Sequence, residues 1–551
     1  MSFDFRKYRP APVLQKPNRR WPSKTLTQAP MWCSVDLRDG NQALIEPMTV
    51  AQKQRLWALL VKMGFKEIEV GFPSASKPDY DFVRWLIEEK QIPQDVTIQV
   101  LTQAREDLIV KSFEALKGVH RAVVHVYNST SRVQREKVFK LDKQGITDIA
   151  IYGAKRVQEE ARKYPETDWV FEYSPESFSS TEVDFAVEVC NAVIDVWQPT
   201  PERKIILNLP DTVQLATPNV YADQIEWFCD NVNKRDSVII SIHPHNDRGC
   251  GVATAELAML AGADRVEGTL LGNGERTGNL DITTVAMNLY SHGIDPKLDL
   301  SIADEIIAIS EACTQIKTHP RHPWFGELVY TAFSGSHQDA IRKCLSVQEE
   351  EEFWDVAYLP IDPQDIGRNY QSVIRVNSQS GKGGASYLLE QHLGITLPRW
   401  MQIDLAAPVQ QATEAKGGEL TTADIVQVFN RTFIDIQGPY QLLGYQLDKQ
   451  DGNHKIQATV LHNGKEQKVV GQGNGAISAF ADAMHHVSGL EVQVVQFDEQ
   501  ALGAGTNAEA MAFIQANVGG KRYTAVAQDN DTLSAGLEAI LGAVNKALTA
   551  Q

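Results

Sequence analysis

The chain has 551 residues, of which 43% are hydrophobic and 22% are charged, and its formal net charge is −17. This length exceeds that of a single compact domain, so we expect one large domain and one or two smaller ones. The negative charge argues against binding to nucleic acid or to an anionic membrane, because both are polyanions. Six cysteines without CxxC spacing indicate reduced thiols rather than disulfides or a zinc finger. Residues 1–24 lack the apolar core of a signal peptide, and no run of 18 apolar residues occurs, so we expect a cytoplasmic protein.

Between residue 31 and about residue 290, short β-branched runs alternate with longer amphipathic segments, a pattern typical of βα units around a parallel sheet. Eight such runs predict the strands of a (β/α)8 TIM barrel. The runs span residues 31–37, 66–71, 97–101, 120–127, 168–174, 204–209, 237–243 and 265–271. The segment after nearly every run is polar, and the carboxyl ends of barrel strands build active sites. The sequence therefore predicts one polar pocket at that face.

After about residue 300 the pattern changes to helical, acidic and aromatic segments. The small, polar stretch 410–424 (QQATEAKGGELTTAD) indicates a linker or a domain boundary. We expect helical linker subdomains in this part of the chain.

The last 110 residues contain a weak internal repeat. Each half is predicted to be a hairpin, turned at Asn463-Gly464 or at Gly519-Gly520, followed by an Ala-rich helix. This pattern predicts a separate, pseudo-symmetric α+β domain. The expected division is an N-terminal extension over 1–30, a barrel over 31–305, linker subdomains over 306–425 and a C-terminal domain over 426–551.

Two histidines, His243 and His245, stand at the end of the seventh run, where their spacing directs both side chains to one face of a strand. Such a pair alone is more often two unrelated histidines than a metal site. Asp39, after the first run, and Asn279, after the eighth, become their neighbours if the barrel closes. Two imidazoles, one carboxylate and open positions are suited to a divalent cation acting as a Lewis acid. Zn, Mn, Mg and Co all remain possible.

Arg38, next to Asp39, would place a fixed cation beside the metal, able to polarise a carbonyl and hold an enolate. Its alternative role is a salt bridge at the barrel rim. The loop GNGERTGN lacks the third glycine of a dinucleotide-binding motif, because Thr277 occupies that position. We interpret it as a tight loop that aims Glu275, Arg276 and Asn279 into the pocket.

LRDGNQ, HPHNDRGCG and GNGERTGN together resemble the signature of the metal-dependent acyl-CoA-condensing TIM barrels. This family includes the isopropylmalate, homocitrate and citramalate synthases and the HMG-CoA lyases. The similarity is greatest to the isopropylmalate synthases and extends through FEYSPESFS, NLPDTVQLATPNVYADQIEW, GSHQDAI and GQGNGAISA. It implies condensation of acetyl-CoA with 3-methyl-2-oxobutanoate and water to give 2-isopropylmalate and CoA, the committed step of leucine biosynthesis. Homocitrate or citramalate synthase activity is the alternative.

The resemblance also implies site residues, a divalent metal (Mg, Mn or Zn) and partners. The implied metal ligands are Asp39, His243 and His245, with Asn279 at or beside the metal. Arg38 is the implied electrophilic residue and also an implied substrate contact, together with His125, Glu176 and Thr212. The resemblance further implies a homodimer and a C-terminal domain that binds leucine and inhibits the enzyme.

The methyl group of acetyl-CoA must lose a proton to a base, and a metal-ligated imidazole has no lone pair left for that purpose. His337, in FSGSHQDAI just after the barrel, is the candidate, and the resemblance places it with Tyr370 in the active site of the other protomer. Glu275 remains an alternative base. The alternative role of His337 is that of a helix-capping or surface histidine.

Two other classes of protein compete with this interpretation. A metal-dependent hydrolase would use the same ligands without depending on acetyl-CoA. An amino-acid-binding regulator with an inert barrel is the other possibility, and the intact RDG, HPH and GERTGN motifs argue against it.

Overall fold

The computed structural model describes residues 5–7, 11–349, 353–368, 382–450, 452–502 and 508–550. Contacts within the chain group the described residues into two compact units, one drawn from 1–329 and 364–368 and the other from 330–363 and 369–551. All six cysteines are free thiols, as predicted. Among the described residues, every helix is too short or too polar to span a membrane.

The first unit contains a closed barrel whose eight strands follow one another in sequence order, which confirms the predicted TIM barrel. The strands are β1 Met31–Ser34, β2 Glu67–Gly71, β3 Thr97–Gln103, β4 Arg121–Ser129, β5 Asp168–Glu176, β6 Ile205–Asp211, β7 Val238–Pro244 and β8 Arg265–Gly268. The helices are α1 Val50–Met63, α2 Lys77–Glu88, α3 Glu106–Leu116, α4 Lys143–Ala161, α5 Val183–Trp197, α6 Pro218–Asn231, α7 Gly251–Ala261, α8 Ile282–Tyr290 and α9 Ala303–Thr314. One helix follows each strand, and α9 follows the last repeat.

Two strands end earlier than predicted, because the chain turns early at the pocket. β1 ends at Ser34 rather than at residue 37, and Asp36–Gly40 form a π-helical turn. β8 ends at Gly268 rather than at residue 271. The buried carboxylate of Asp36 accepts two contacts, at 3.0 and 3.1 Å, from the backbone N–H of Leu270 and so joins the two turns. This long-range hydrogen bond leaves no trace in the local apolar pattern.

The second unit begins with four helices, α10 Gly335–Leu345, α11 Lys382–Leu393, α12 Arg399–Lys416 and α13 Thr422–Phe429. The linker predicted over 410–424 is therefore wrong for its first half, which completes α12. Leu405, Val409 and Thr413 are buried at a spacing of four residues, so one stripe of this polar-looking segment packs as a helix. Gly417, at φ 70°, ends α12 in the left-handed conformation typical of helix C-termini.

The C-terminal part contains two antiparallel three-stranded sheets, ordered β11-β10-β9 and β12-β13-β14. The elements are β9 Tyr440–Gln450, β10 Asn453–His462, β11 Lys465–Gly473, α14 Ala476–Ser488, β12 Val492–Leu502, β13 Glu509–Val518, β14 Lys521–Asp529 and α15 Thr532–Thr549. Both hairpins and both helices are confirmed, but each repeat also has a first strand, β9 or β12, that the sequence reading missed. Every side chain of β12 is partly or fully exposed, so this strand lacks a fully buried face that would mark it by regular apolar alternation. The repeating unit is βββα.

Small residues let the helices approach these sheets closely. A Cβ atom added at Gly471 in β11 would lie 2.1 Å from the carbonyl oxygen of Ala479 in α14. Alanines of both helices lie in one apolar cluster with residues of the strands. The Ala-rich composition noted in the sequence therefore serves helix-to-sheet packing.

Candidate active site

The carboxyl ends of β1 and β7 bring together the donor atoms of Asp39, His243 and His245, which all lie within 4.8 Å of one another. Asp39 occupies the turn after β1, and His243 belongs to β7, with His245 just beyond it. Oδ2 of Asp39 lies 3.2 Å from Nε2 of His243 and 4.0 Å from Nε2 of His245. All three residues are buried. Both histidines thus reach the same carboxylate, as their spacing predicts.

The environment of His243 fits a bound cation. Its Nδ1 lies 2.8 Å from the carboxylate of Glu267, whereas its Nε2 lies 3.2 Å from Oδ2 of Asp39 and 3.1 Å from Oδ1 of Asn279. The Asn279 amide keeps this orientation because its Nδ2 donates to the carbonyl of Asn273 at 3.1 Å. A neutral imidazole that donates Nδ1–H to Glu267 directs its Nε2 lone pair at two oxygen acceptors. A proton or a metal ion shared by these atoms removes that repulsion.

The remaining imidazole is also suited to ligation. Nδ1 of His245 is buried and has no hydrogen-bond partner among the described residues. Burial, then the nearby charge of His243, lowers the pKa of His245 to about 4, which keeps its nitrogen lone pairs available. Two nitrogen donors and carboxylate and amide oxygens form a mixed set that suits a divalent metal.

The charges around the cluster favour a cation at its centre. Burial opposes ionisation of Asp39, but Arg38 and the two histidines outweigh it and hold the pKa of that carboxyl well below its usual range. Burial also opposes charge on His243, but hydrogen bonds to Asp39 and Glu267 raise its pKa to about 10. The same two anions would stabilise a metal ion that competes with this proton.

Arg38 is held next to the cluster, with its side chain 11% exposed. Its guanidinium donates to Oδ1 of Asp39 at 2.7 Å and to the fully buried carboxylate of Glu69. Burial opposes its charge, yet Asp39 and Glu69 raise the pKa of Arg38 above its usual value. Arg38 therefore forms ion pairs, as its alternative role predicts, and its side chain also lines the pocket. Arg38 presents a fixed positive charge to the pocket.

One pocket of about 170 Å³ joins the cluster to the expected substrate residues. Besides Arg38, Asp39, His243 and His245, its lining includes His125, Glu176, Thr212 and Glu275. His125 contacts Glu69 at 3.0 Å through Nδ1 and the hydroxyl of Ser174 at 2.7 Å through Nε2. Thr212 accepts a hydrogen bond from the backbone of Ser177 at 3.0 Å, and Glu176 accepts one from Ser129. The structure brings His125, Glu176, Thr212 and Glu275 to the same pocket.

The loop after β8 enters this pocket at its edge. The side chain of Glu275 is 47% exposed, and Nε2 of Gln42 lies 3.4 Å from its carboxylate. Arg276 is occupied by Asp247, at 2.6 Å. The tight turn requires glycine at residue 278, where φ is 110° and a Cβ would lie 2.1 Å from the carbonyl oxygen of Gly272.

Of the two other proposed catalytic residues, the structure describes His337, which belongs to the second unit. His337 lies in the first turn of α10, and its ring stacks on Tyr358 with centroids 4.0 Å apart and an angle of 19° between the planes. Tyr370 falls outside the described residues.

Sequence reasoning missed two carboxylates that support the site: Glu69 holds Arg38, and Glu267 holds His243. Lys53 also supports the site, because it donates to the carbonyl of Leu37 at 2.8 Å, in the turn that carries Arg38 and Asp39. The signal was present in EIEVG and RVEG, where charged residues interrupt apolar strands. A charged side chain inside a barrel strand must find partners in the interior, so such positions indicate a buried polar network.

Family comparisons agree with this architecture. The HMGL-like family model matches residues 29–311, a model described as alpha-isopropylmalate synthase, post-catalytic domain-like, matches 327–390, and the LeuA allosteric (dimerisation) domain matches 419–548. Among solved structures, a hydroxymethylglutaryl-CoA lyase from Pseudomonas aeruginosa shares 20% identity at a TM-score of 0.41, covering 52% of this chain and 91% of that one.

Full-length relatives are far more similar. A 2-isopropylmalate synthase of Alcanivorax borkumensis is 56% identical over 99% of this chain and 98% of its own length. One of Pseudomonas entomophila is 55% identical with the same coverage of both chains. Because this identity extends over almost the full length of both chains, the chain belongs to the 2-isopropylmalate synthases.

Proposed function

We propose that this protein condenses acetyl-CoA with 3-methyl-2-oxobutanoate and water to give 2-isopropylmalate and CoA, the first committed step of leucine biosynthesis. The observation that carries the proposal is the buried cluster of Asp39, His243 and His245 with Arg38 beside it, at the carboxyl face of the barrel. Relatives that share more than half of their residues with the chain over its full length carry the name of this activity.

Asp39, His243 and His245 are the proposed ligands of a divalent metal (Mg, Mn or Zn), with Asn279 beside it. When bound, the metal supplies Lewis-acid chemistry that polarises the ketone of the keto acid. Arg38 stabilises negative charge that develops on the reacting oxygens, because its guanidinium is fixed and buried.

The keto acid is proposed to contact Glu176 and Thr212, with His125 lining the same pocket. The hydroxyl of Thr212 already accepts a backbone hydrogen bond, so its proton remains available to donate to a substrate oxygen. Ser174 and Glu69 contact both ring nitrogens of His125, which holds this imidazole in one orientation in the pocket wall.

A base must take the methyl proton of acetyl-CoA, and the resulting enolate then attacks the ketone carbon. We assign this proton transfer to His337, assisted by Tyr370, both from the partner subunit of a homodimer. Glu275 is the alternative base, because its carboxylate lines the pocket of its own barrel. Water then cleaves the thioester of the condensed product, which releases CoA.

Following the domains predicted from the sequence, we assign catalysis to residues 31–305, the connecting role to 306–425 and regulation to 426–551. We propose leucine as the effector of the last segment. The match to a domain described as allosteric and dimerising supports both this assignment and the homodimer.

A panel of 2-oxoacids, assayed by release of free CoA thiol from acetyl-CoA, tests the proposal. We expect the branched three-carbon side chain of 3-methyl-2-oxobutanoate to give the highest kcat/KM. A preference for an acidic side chain or for a methyl side chain would indicate a homocitrate or a citramalate synthase instead. Activity that is independent of acetyl-CoA would indicate a hydrolase and contradict the proposal.

A further inference from the structure

A fully buried glutamate lies directly behind the proposed metal ligand His243. Glu267, in β8, accepts from Nδ1 of His243 at 2.8 Å and from the amide of Asn208 at 3.1 Å on one carboxylate oxygen. Its other oxygen accepts from the guanidinium of Arg265 at 2.8 Å and from the amide of Gln99 at 3.1 Å. These four contacts come from β3, β6, β7 and β8 itself, so they hold the carboxylate from several directions.

We propose that Glu267 is the positioning residue of the metal centre, fixing the tautomer and the ring orientation of His243 so that Nε2 faces the cation. The proposal rests on the assignment of His243 as a ligand in the proposed function. A ligating histidine whose second nitrogen donates to a carboxylate has a fixed ring and a more basic ligand nitrogen. Among the described residues, His243 is the one proposed ligand that hydrogen-bonds to Glu267, so Glu267 would act on the metal through that ring.

Arg265 supplies the positive charge that stabilises the Glu267 carboxylate in the barrel interior. Its side chain is fully buried and also donates to Glu67 at 2.6 Å, to Ser241 at 2.8 Å and to Oε1 of Gln99 at 2.8 Å. A buried carboxylate without a partner would be costly, and the guanidinium provides that partner. Gln99, whose oxygen is committed to Arg265, can only present its NH2 group to Glu267, which fixes the direction of that hydrogen bond.

A second glutamate at the same depth makes a contrasting set of contacts. Glu172, in β5, is also fully buried, but neither of its carboxyl oxygens has a hydrogen-bond partner among the described residues. The guanidinium of Arg265 lies 3.5 Å from it. Burial, and then the charge of Glu267, raises the pKa of Glu172 well above its usual value.

Donor atoms of His125, Glu172 and Glu267 also lie within 4.8 Å of one another, but this group does not suit a second metal. The oxygens of Glu267 already face four donors, and the positive charge of Arg265 stands beside Glu172. A cation there would meet a fixed cation. Glu172 is therefore a matched control for Glu267, with the same side chain and burial but no contact to a proposed ligand.

The experiment compares Glu267→Gln with Glu172→Gln in the full-length chain, with Zn²⁺ titrated into metal-free protein and its affinity measured by calorimetry or competition with a chelating dye. Gln at residue 267 keeps the shape but presents no negative charge, so we expect Zn²⁺ affinity to fall about 10- to 100-fold. Glu172→Gln keeps the shape of a side chain that makes no hydrogen bond or ion pair to a proposed ligand among the described residues, so its Zn²⁺ affinity should stay within about twofold of wild type. Circular dichroism and thermal melting establish that both variants fold.

Unchanged Zn²⁺ affinity in a folded Glu267→Gln protein overturns the inference, and so does an equal loss in both variants. If Glu267→Gln does not fold, Glu267→Asp replaces it, since the charge is kept but is withdrawn from His243. A folded Asp variant with wild-type affinity would then overturn the inference. Failure of the proposed metal site itself looks different, because Zn²⁺ would bind wild type and His243→Ala equally well.

Discussion

Nε2 of His243 lies 3.2 Å from Oδ2 of Asp39, although 204 residues separate them in the chain. The two residues meet because β1 pairs with β8 and β8 pairs with β7 in the closed barrel. The proposed metal site therefore spans the seam at which the first and last strands of the barrel join. Its formation depends on barrel closure rather than on any local segment.

Removing any one of the three strong donors should disable the site. We expect Asp39→Asn, His243→Ala and His245→Ala each to weaken metal binding and to lower kcat by more than about 100-fold, since loss of a supporting residue alone costs 10- to 100-fold. Metal content and CoA release are measured after chelation and after metal is added back.

His292→Ala is the matched control for these variants, because His292 is exposed after α8 and lies outside the pocket. Chelation of wild-type protein should abolish activity, and added metal should restore it. A His243→Ala protein with wild-type activity after the same treatment would show that the ligand assignment is wrong.

Complementation tests whether the base comes from the partner subunit. Mixing inactive His337→Ala with inactive Asp39→Asn under conditions of subunit exchange should restore part of the activity. One site of such a heterodimer combines the intact barrel of the first mutant with the intact His337 of the second. The recovered rate is compared with that of each variant mixed with itself.

Glu275→Gln distinguishes the alternative base. If His337 takes the proton, this variant should keep most of the wild-type kcat, because Glu275 is about half exposed at the pocket edge. Heterodimers that form without any recovery of activity would contradict a shared site, and near-normal activity of His337→Ala would exclude it as the base.

Leucine should inhibit the full-length enzyme without competing with the keto acid, because the proposed effector site and the active site are distinct. A chain that ends at residue 425 should lose this inhibition. Met511, Phe513 and Val526 pack in one apolar cluster with helices α11 to α13, so the same cut should also lower the melting temperature.

The inhibition pattern is measured by varying keto acid at several leucine concentrations, first in the full-length chain and then in the truncated one. Inhibition that persists after truncation and is competitive with the keto acid would place leucine in the active site instead.

The pH dependence of the free energy of unfolding should reveal the ionisation of the buried Asp36 carboxyl group. Burial raises its pKa from the ordinary 3.8 to about 7. Between these values the folded chain retains a proton that the unfolded chain has lost, so the stability due to Asp36 falls as the pH rises through this window. Asp36→Asn cannot ionise and should remove that fall.

We expect the melting temperature of Asp36→Asn to exceed that of wild type by at least about 2 °C at pH 8 and to approach it at pH 4. Calorimetric scans at both pH values provide the measurement. A melting temperature that differs equally at the two pH values would mean that Asp36 does not titrate in this range.

The sequence by itself predicted the parts of this protein that depend on local pattern. Alternation of β-branched runs with amphipathic segments located all eight barrel strands, and the two glycine-containing turns located both C-terminal hairpins. The spacing of His243 and His245 placed both rings on one face, because successive strand side chains alternate with a period of two residues.

Tertiary structure decided what depends on residues far apart in the chain. The early turn after β1 requires the hydrogen bond between Asp36 and Leu270, and the role of Glu267 requires donors from four other positions around the barrel. EIEVG and RVEG show that charged residues lie within strands, but the local sequence does not identify the groups across the barrel interior that pair with them. Periodicity is a property of neighbouring residues, whereas burial of a charge is stabilised only by the groups that chain closure brings to it.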